Sequence, residues 1–270
     1  MTDHEGKKIS GILYSCYSQK SVEGEQFIPE HIFGYTFSGT NQVYIGGKNH
    51  VFSAGDFRFF KRNELVKFTK QPPPGGEYRS ISICMDQETL RDISEEYNLH
   101  MDKPYDDDHS LSLQPNPLFK NYINSLAPYL NGKSKINKVI TTLKVKEIVM
   151  ILLETNPGLK NILFDFSEPG KIDLEAYMNQ NYKFNVDLSR FAYLTGRSLA
   201  TFKRDFQRVY NMSPNRWLQK KRLADAYYLL KEKGWKTTEV YLEVGFKDLS
   251  HFSFAFKKAF GVSPSLLITA

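Results

Sequence analysis

An internal repeat in the C-terminal part of this sequence constrains the fold more than any other feature. Three aromatic residues at helical spacing recur 50 positions later, with Phe202, Phe206 and Tyr210 matched by Phe252, Phe256 and Phe260. Ser198, before the first set, is matched by Asp248, and both residue types cap helix N-termini. Asn211, after the first set, is matched by Gly261, and both tolerate the left-handed conformation that ends many helices. Each copy therefore predicts a capped helix of about three turns.

Each repeated helix follows a shorter helical segment and a turn that contains glycine. The first segment starts at Leu188 and ends at Thr195-Gly196-Arg197, and the second starts at Val240 and ends at Gly245-Phe246-Lys247. A helix, a short turn with glycine and a capped helix form the helix-turn-helix pattern, in which the second helix enters the major groove of DNA. The sequence therefore predicts two helix-turn-helix units, each with its own recognition helix.

A single long helix is predicted between the two units. It begins at Pro214, after the capping residue Ser213, and ends at Lys233, before Gly234. A helix of this length spans roughly 30 Å, which approaches the roughly 34 Å of one turn of B-DNA. Two recognition helices held at this separation are expected to reach successive major grooves on one face of the duplex.

The net charge of +6 is unevenly distributed along the 270 residues. From Lys171 onward there are 17 Lys and Arg against 9 Asp and Glu, a balance of +8, whereas the residues before it hold 19 against 21, a balance of −2. A basic domain suits a polyanion such as nucleic acid, although charge alone does not separate DNA from RNA or from an anionic membrane. Together with the repeat, the caps and the turns, the charge favours DNA as the partner.

Two segments of this domain resemble a known family of regulators. The run from Gly245 to Pro264, GFKDLSHFSFAFKKAFGVSP, resembles the signature of the AraC/XylS family, and the run from Ala192 to Pro214, AYLTGRSLATFKRDFQRVYNMSP, resembles the first unit of that family. The resemblance implies a sequence-specific, DNA-binding transcription regulator, and it implies which side chains contact DNA. In the first unit these are Ser198, Ala200, Thr201, Lys203, Arg204, Gln207 and Arg208, and in the second they are Leu249, Ser250, His251, Ser253 and Lys257.

The sequence departs from the family pattern at two positions of the second unit. Members usually have Ala at the position of Tyr241 and often a polar or basic residue at the position of Phe254. Because Phe254 cannot form a hydrogen bond to a base edge, the second unit is expected to read sequence weakly and to serve mainly as an anchor. The first unit is expected to dominate specificity, since Arg or Lys to guanine is the commonest specific contact.

The first half of the sequence predicts a different architecture. Residues 9 to 85 contain seven short apolar runs, namely GILYSCY, HIFGYTF, QVYI, HVFS, DFRFF, VKFT and RSISICM, which predict a small β-sandwich or barrel. Gly46-Gly47-Lys48-Asn49 predicts a hairpin turn, and helices are predicted at 87–97, 117–130 and 136–154. The segment from Gly39 to Phe60 resembles a cupin-like sensor domain. We expect an α+β protein, with a cupin-like β-barrel and helices over residues 1–165 and an all-α tandem helix-turn-helix domain over 166–270.

Two binding functions are expected of the first domain. An apolar pocket for an effector would be lined by Tyr35, Phe37, Tyr44 and Phe60, and a partner protein docking on the barrel is the alternative to a small molecule. The family resemblance implies a homodimer through the helix that follows the barrel, with Ile140, Leu143, Ile148 and Leu152 at the contact. Packing of this helix on its own barrel is an equally weighted alternative.

Other classes of function lack the residues that they need. Cys16 and Cys84 are the only cysteines, and the six histidines never form an HxH or HExxH pair, so neither a metal site nor a cofactor is expected. The missing histidine set also argues against the alternative of a cupin enzyme with a DNA-binding tail, and we expect no enzymatic activity. No apolar run is long enough to span a membrane, and the first ten residues lack the apolar centre of a secretory signal. A cytoplasmic protein is therefore expected.

Overall fold

The computed structural model describes residues 6–9, 11–22, 27–103, 112–130 and 137–267. They form two compact units, of which the first ends at Ser167 and the second begins at Glu168, while Phe27 groups with the second. The first unit contains antiparallel sheets with helices, and the second is helical. The α+β class is thus confirmed.

The strands of the first unit form two antiparallel sheets. The strands are β1 (Gly6–Ile9), β2 (Ile12–Tyr17), β3 (Ser21–Val22), β4 (Phe27–Ile28), β5 (His31–Ser38), β6 (Thr40–Ile45), β7 (Lys48–Ser53), β8 (Phe57–Phe60), β9 (Glu64–Gln71), β10 (Tyr78–Met85) and β11 (Ser112–Leu113). One sheet has the order β1-β2-β10-β5-β8-β11, and the other has the order β3-β9-β6-β7 with β4 on β9. All seven predicted strands are confirmed. The predicted hairpin is confirmed as well, because Gly46 and Gly47 both have positive φ between β6 and β7.

Helices follow the strands in the first unit. They are α1 (Gln87–Tyr97), α2 (Pro117–Leu130), α3 (Lys138–Thr155) and the single turn α4 (Lys160–Leu163). The first two have the predicted bounds. The third begins after Asn137, whose side chain accepts a hydrogen bond from the backbone N–H of Ile140 at 2.9 Å and so caps the helix. The predicted start at residue 136 lies outside the described residues.

One face of the six-stranded sheet is covered by helix α2. Phe33 of β5 contacts Phe119 and Tyr122 of that helix, at ring-centre distances of 5.3 and 6.1 Å. Tyr35 and Phe37 lie on the same face as Phe33, because side chains alternate along a strand. Phe33 therefore packs beneath α2, and the apolar residues of this face lie outside the space between the sheets.

The opposite face of this sheet looks toward the five-stranded sheet. Phe60 of β8 packs against Phe52 of β7 and Phe68 of β9, at ring-centre distances of 6.1 and 5.5 Å. Arg58, two residues earlier on the same face, is only 2% exposed, and its Nη1 donates a hydrogen bond to Oγ1 of Thr36 at 2.7 Å. The interior between the sheets thus combines aromatic packing with a buried guanidinium group.

The expectation that Tyr35, Phe37, Tyr44 and Phe60 line one pocket does not hold. Only Phe60 lies between the two sheets, while Tyr35 and Phe37 lie on the face covered by α2. Tyr44 alternates along β6 with the fully buried Val43 and therefore points away from the interior. The sequence pattern alone could not show which face of each strand is the interior.

The expectation of four dimer-contact residues on α3 also needs correction. Ile148 and Leu152 are fully buried in the core of their own unit, so these two side chains cannot contact a second copy. Ile140 is half-buried, and Leu143 is 60% exposed. Val139 lies one turn before Leu143 and is 69% exposed, so the outward apolar stripe includes a residue that the sequence analysis did not choose.

The second unit is built from six helices in the described residues. They are α5 (Leu174–Asn181), α6 (Leu188–Leu194), α7 (Leu199–Tyr210), α8 (Pro214–Lys231), α9 (Thr237–Glu243) and α10 (Leu249–Phe260), and a 3-10 turn (Pro264–Leu267) follows. The two predicted helix-turn-helix units are α6 with α7 and α9 with α10, joined by α8. Nowhere in the described ranges is there a helix with both the length and the apolar character for crossing a membrane.

Candidate nucleic-acid interface

Helix α7 has the structure expected of a recognition helix. Oγ of Ser198 accepts a hydrogen bond from the backbone N–H of Thr201 at 3.2 Å, and Asn211 ends the helix with φ of 52°. Phe202 and Phe206 are fully buried, which fixes the opposite side of the helix outward. That outward side consists of the exposed residues Ala200, Lys203, Arg204, Gln207 and Arg208, and Thr201 beside them is half-buried.

A buried ion pair attaches this helix to the turn before it. Oδ2 of Asp205 accepts a hydrogen bond from Nε of Arg197 at 3.2 Å, and the two side chains are only 8% and 7% exposed. Nη1 of Arg197 also donates to the backbone carbonyl oxygens of Ile172 and Thr195. The hydrogen bond from Arg197 holds the pKa of Asp205 below its usual range. The charge pair therefore fixes the angle at which α7 leaves the turn.

The same carboxylate holds one of the residues expected to contact DNA. Nη2 of Arg208 donates to Oδ1 of Asp205 at 3.1 Å, while the Arg208 side chain remains 77% exposed. Asp205 thus positions Arg208 at the edge of the outward side of α7. Neither Asp205 nor Arg197 was selected from the sequence, because a pattern of apolar residues carries no signal for a buried charge pair.

Helix α10 repeats this geometry with different side chains. Oδ1 of Asp248 accepts a hydrogen bond from the backbone N–H of His251 at 2.7 Å, and Gly261 ends the helix with φ of 78°. Phe252 and Phe256 are fully buried. The exposed side consists of Ser250, His251, Phe254, Lys257 and Lys258.

Two residues of the second helix-turn-helix unit that were expected to contact DNA make contacts within the protein instead. Leu249 is half-buried and packs against the core of its helix-turn-helix unit. Oγ of Ser253 donates a hydrogen bond to the backbone carbonyl oxygen of Leu249 at 2.8 Å. Ser250 and His251 are exposed at the start of the helix, where recognition helices approach base edges.

A cleft with a volume of about 750 Å³ lies between the two helix-turn-helix units, lined by the starts of α6 and α8 and by the turn before α10. Its lining includes Arg216, Arg222, Lys247 and His251, whereas Asp187 is the one acidic residue among the lining residues. The cleft is therefore positively charged. Sequence reasoning missed it because Arg216 and Arg222 belong to α8, which lies between the two copies of the repeat.

Arg222 forms a fixed positive charge in this cleft. Its Nε donates to the backbone carbonyl oxygen of Tyr182 and its Nη2 to that of Phe184, both at 2.8 Å. Burial lowers the pKa of Arg222 to about 10, so the guanidinium group stays protonated at neutral pH. Arg216 and Lys247 are exposed and leave their charges accessible at the cleft.

Comparison with protein families gives two matches on this chain. A helix-turn-helix domain family matches residues 191–269, and the family described as the ExsA N-terminal regulatory domain matches residues 31–162. The first match contains both recognition helices, and the second contains most of the two-sheet unit.

Several characterised proteins are similar to this chain. The virulence regulon transcriptional activator VirF of Yersinia enterocolitica is 29% identical over 151 residues, which cover 55% of this chain and 55% of VirF, so the match spans about half the length of that relative. The HTH-type transcriptional regulator ExsA of Pseudomonas aeruginosa is 24% identical over 217 residues, covering 78% of this chain and 76% of ExsA. A crystal structure of the apo K231A variant of ToxT from Vibrio cholerae is similar over 97% of this chain and 98% of the ToxT chain, with a TM-score of 0.47 and 11% identity.

Proposed function

We propose that this chain, which belongs to the AraC/XylS family of transcription regulators, binds double-stranded DNA at specific sequences and regulates transcription without any enzymatic activity. The observation that carries the proposal is the pair of capped recognition helices, α7 and α10, in one compact basic unit. VirF and ExsA are a transcriptional activator and a transcriptional regulator, which supports the same role. Because VirF and ExsA are bacterial proteins, we propose that this chain binds chromosomal DNA in the cytoplasm.

The proposal assigns different tasks to side chains on α7. Lys203 and Arg204 are exposed in the middle of its outward side and bear the donors that pair with the major-groove edge of guanine. Arg208 is held at the edge by Asp205, which suits a phosphate contact that positions the protein without reading sequence. Base readout therefore falls mainly on Lys203 and Arg204.

The cleft between the two helix-turn-helix units supports a further contact with the DNA backbone. His251 and Lys247 line it, and they belong to the first turn of α10 and the turn before it, so the cleft lies beside the DNA-facing end of the second unit. With α7 and α10 in successive major grooves, the sugar-phosphate backbone must pass between them. We propose that Arg216 and Lys247 contact phosphates at this crossing.

The exposed residue Arg204 provides the test of sequence-specific binding. We expect Arg204→Ala to lower affinity for the preferred site by about 5- to 150-fold, since a good bidentate pair to guanine contributes about 1–3 kcal/mol. The Arg204→Ala protein should then bind DNA sites that differ at one base pair in the first half of the site with almost equal affinity. Fluorescence anisotropy with the wild type, Arg204→Ala and the matched control Lys220→Ala, an exposed residue of α8, measures this. An unchanged preference at every position in Arg204→Ala contradicts the proposed role.

We propose a homodimer through the outward stripe of α3. Val139 and Leu143 are 69% and 60% exposed, and Met150, two turns further along, is 39% exposed. Exposed apolar side chains aligned along one helix favour association with a second copy of the same helix. A dimer would place two DNA-binding units on paired half-sites.

We also propose that the compact unit with the two sheets, which ends at Ser167, senses an effector, which is a small molecule or a partner protein. The aromatic packing around Phe60, with Phe52 and Phe68, occupies part of the interior in which a small molecule would bind. Thermal stabilisation of the protein by a small molecule supports the first kind of effector, and a partner that co-purifies and alters DNA affinity supports the second.

A further inference from the structure

Phe254 occupies an unusual position for a large apolar side chain. It is 70% exposed, although phenylalanine side chains gain about 1.5–3 kcal/mol from burial. Its neighbours one turn away on α10, Ser250 and Lys258, are polar and exposed. Phe254 therefore lies at the centre of an otherwise polar, basic helix face.

The repeat identifies what this position does. Helices α7 and α10 have the same length, and their capping residues, Ser198 and Asp248, lie 50 positions apart. The same offset relates Arg204 to Phe254, and both residues are exposed. Phe254 thus holds the position that Arg204 holds on the first recognition helix, where base readout is proposed.

The major groove presents few partners for an apolar side chain at this position. Guanine and adenine present acceptors or donors there, cytosine presents a donor, and only thymine presents a methyl group, on C5. Phosphates and sugars offer no comparable apolar group to a side chain that points into the groove. The thymine methyl group is therefore the group in the major groove that suits contact with Phe254.

We propose that Phe254 reads a thymine in the second half of the binding site through contact between its ring and the C5-methyl group. This inference rests on the proposed DNA-binding function and revises the expectation that the second helix-turn-helix unit serves mainly as an anchor. Lys257 and Lys258 are exposed at the end of α10 and hold the sugar-phosphate backbone of the DNA near this contact. The second unit then has sequence preference without a hydrogen bond from residue 254.

Replacement of thymine by deoxyuridine tests the contact, because it removes the methyl group and leaves every hydrogen-bonding group of the base in place. We expect one such replacement in the second half of the site to lower the affinity of the wild-type protein by about fourfold, since burial of one methyl-sized group contributes about 0.8 kcal/mol. Phe254→Ala should bind the thymine and deoxyuridine sites equally, and Phe254→Leu should keep part of the discrimination.

Lys258→Ala is the matched control from the same helix face. It should weaken binding to both sites by the same factor and keep the discrimination of the wild type, because a phosphate contact carries no base information. Since Phe254 is exposed, its replacement should leave the fold intact, which circular dichroism checks.

Four results overturn the inference. Equal binding of the wild type to every deoxyuridine site overturns the methyl contact while the proposed DNA-binding function stands. Full discrimination by Phe254→Ala assigns the methyl contact to another residue. If Phe254→Ala lowers transcription but leaves affinity and discrimination unchanged, the ring contacts a protein instead. Absence of any preferred site for the wild type overturns the inference together with the proposed function.

Discussion

His31 is a buried titratable group with no place in the proposed DNA contacts. Its side chain is fully buried, and its Nδ1 accepts a hydrogen bond from the backbone N–H of Arg62 at 3.1 Å. Burial, with the nearby charges of Arg62 and Lys61 as lesser causes, lowers the pKa of His31 to about 3. The folded two-sheet unit therefore requires the neutral form of the His31 ring.

The depressed pKa of His31 predicts a loss of stability in acid. His31 binds a proton near pH 6.5 in the unfolded chain and only near pH 3 in the folded chain. Its contribution to the free energy of unfolding is therefore complete above pH 6.5 and decreases below it. Between these limits the free energy of unfolding should fall by about 1.4 kcal/mol per pH unit through this group. Urea unfolding of the wild type and His31→Gln from pH 7.5 to 4.5 measures the difference in slope. The exposed His100→Gln is the control, and parallel profiles for the wild type and His31→Gln would contradict the argument.

Arg58 shows where sequence reasoning about single residues stopped. Its strand was predicted, but the default for an arginine is a solvated position. The structure instead buries Arg58 opposite Gly34 of β5, and a Cβ on Gly34 would lie 2.8 Å from Nε of Arg58. Glycine inside a strand often marks such a close approach. The sequence contained the signal in HIFGYTF, but not the identity of the strand that approaches.

At the scale of elements, the helix-turn-helix turns depend on glycine. Gly196 has φ of +64°, and a Cβ there would lie 2.4 Å from the backbone of Gly170. Gly245 has φ of +91°, and a Cβ there would lie 2.4 Å from the carbonyl oxygen of Lys183. Both turns therefore need the conformational freedom of glycine and its lack of a side chain.

Gly196 and Gly234 allow these two requirements to be separated. Both have φ of +64°, but a Cβ on Gly234 would meet no atom within 4 Å. Gly234→Ala should therefore cost only the left-handed strain of about 1–2 kcal/mol. Gly196→Ala should cost about 3 kcal/mol or more, because steric overlap with the backbone adds to that strain. Urea unfolding of both variants gives the comparison, and equal losses would show that the close approach at Gly196 is unimportant.

The stripe on α3 makes a prediction about association. We expect Leu143→Glu to convert a dimer into a monomer, because Leu143 is 60% exposed and central to the proposed contact. Lys138→Glu, a charge change at an exposed residue of the same helix that lies away from the stripe, is the control and should leave the dimer intact. Sedimentation velocity of the full chain measures the change. A monomeric wild type, or a Leu143→Glu variant that remains dimeric, would contradict the proposed contact.

Element types were predictable because the patterns were local. The 50-residue repeat predicted both recognition helices together with the residues that cap them, and the short alternating runs predicted seven strands. The inward face of each sheet, the Arg197–Asp205 pair and the cleft beside α8 arise from contacts between segments distant in sequence. No local period carries that information.

At the scale of the whole molecule, the basic second unit predicts a salt-dependent affinity. Each phosphate contact contributes a slope of about −0.9 to the dependence of log affinity on log salt concentration. Arg216→Ala and Lys247→Ala should each reduce the magnitude of this slope by about 1 while keeping the preferred sequence. The control is Arg190→Ala, an exposed cation outside the lining of the cleft. Slopes equal to that of the wild type would exclude phosphate contacts in the cleft.

We infer that the two recognition helices of one chain read DNA together. Helix α8 joins the two units with 18 residues, a length of roughly 27 Å. Selection of binding sites from a random duplex library by the full chain tests this joint reading. We predict two enriched boxes whose centres lie about 10 base pairs apart, with the box for α7 the more sharply defined. A single box, or no enriched sequence at all, would contradict it.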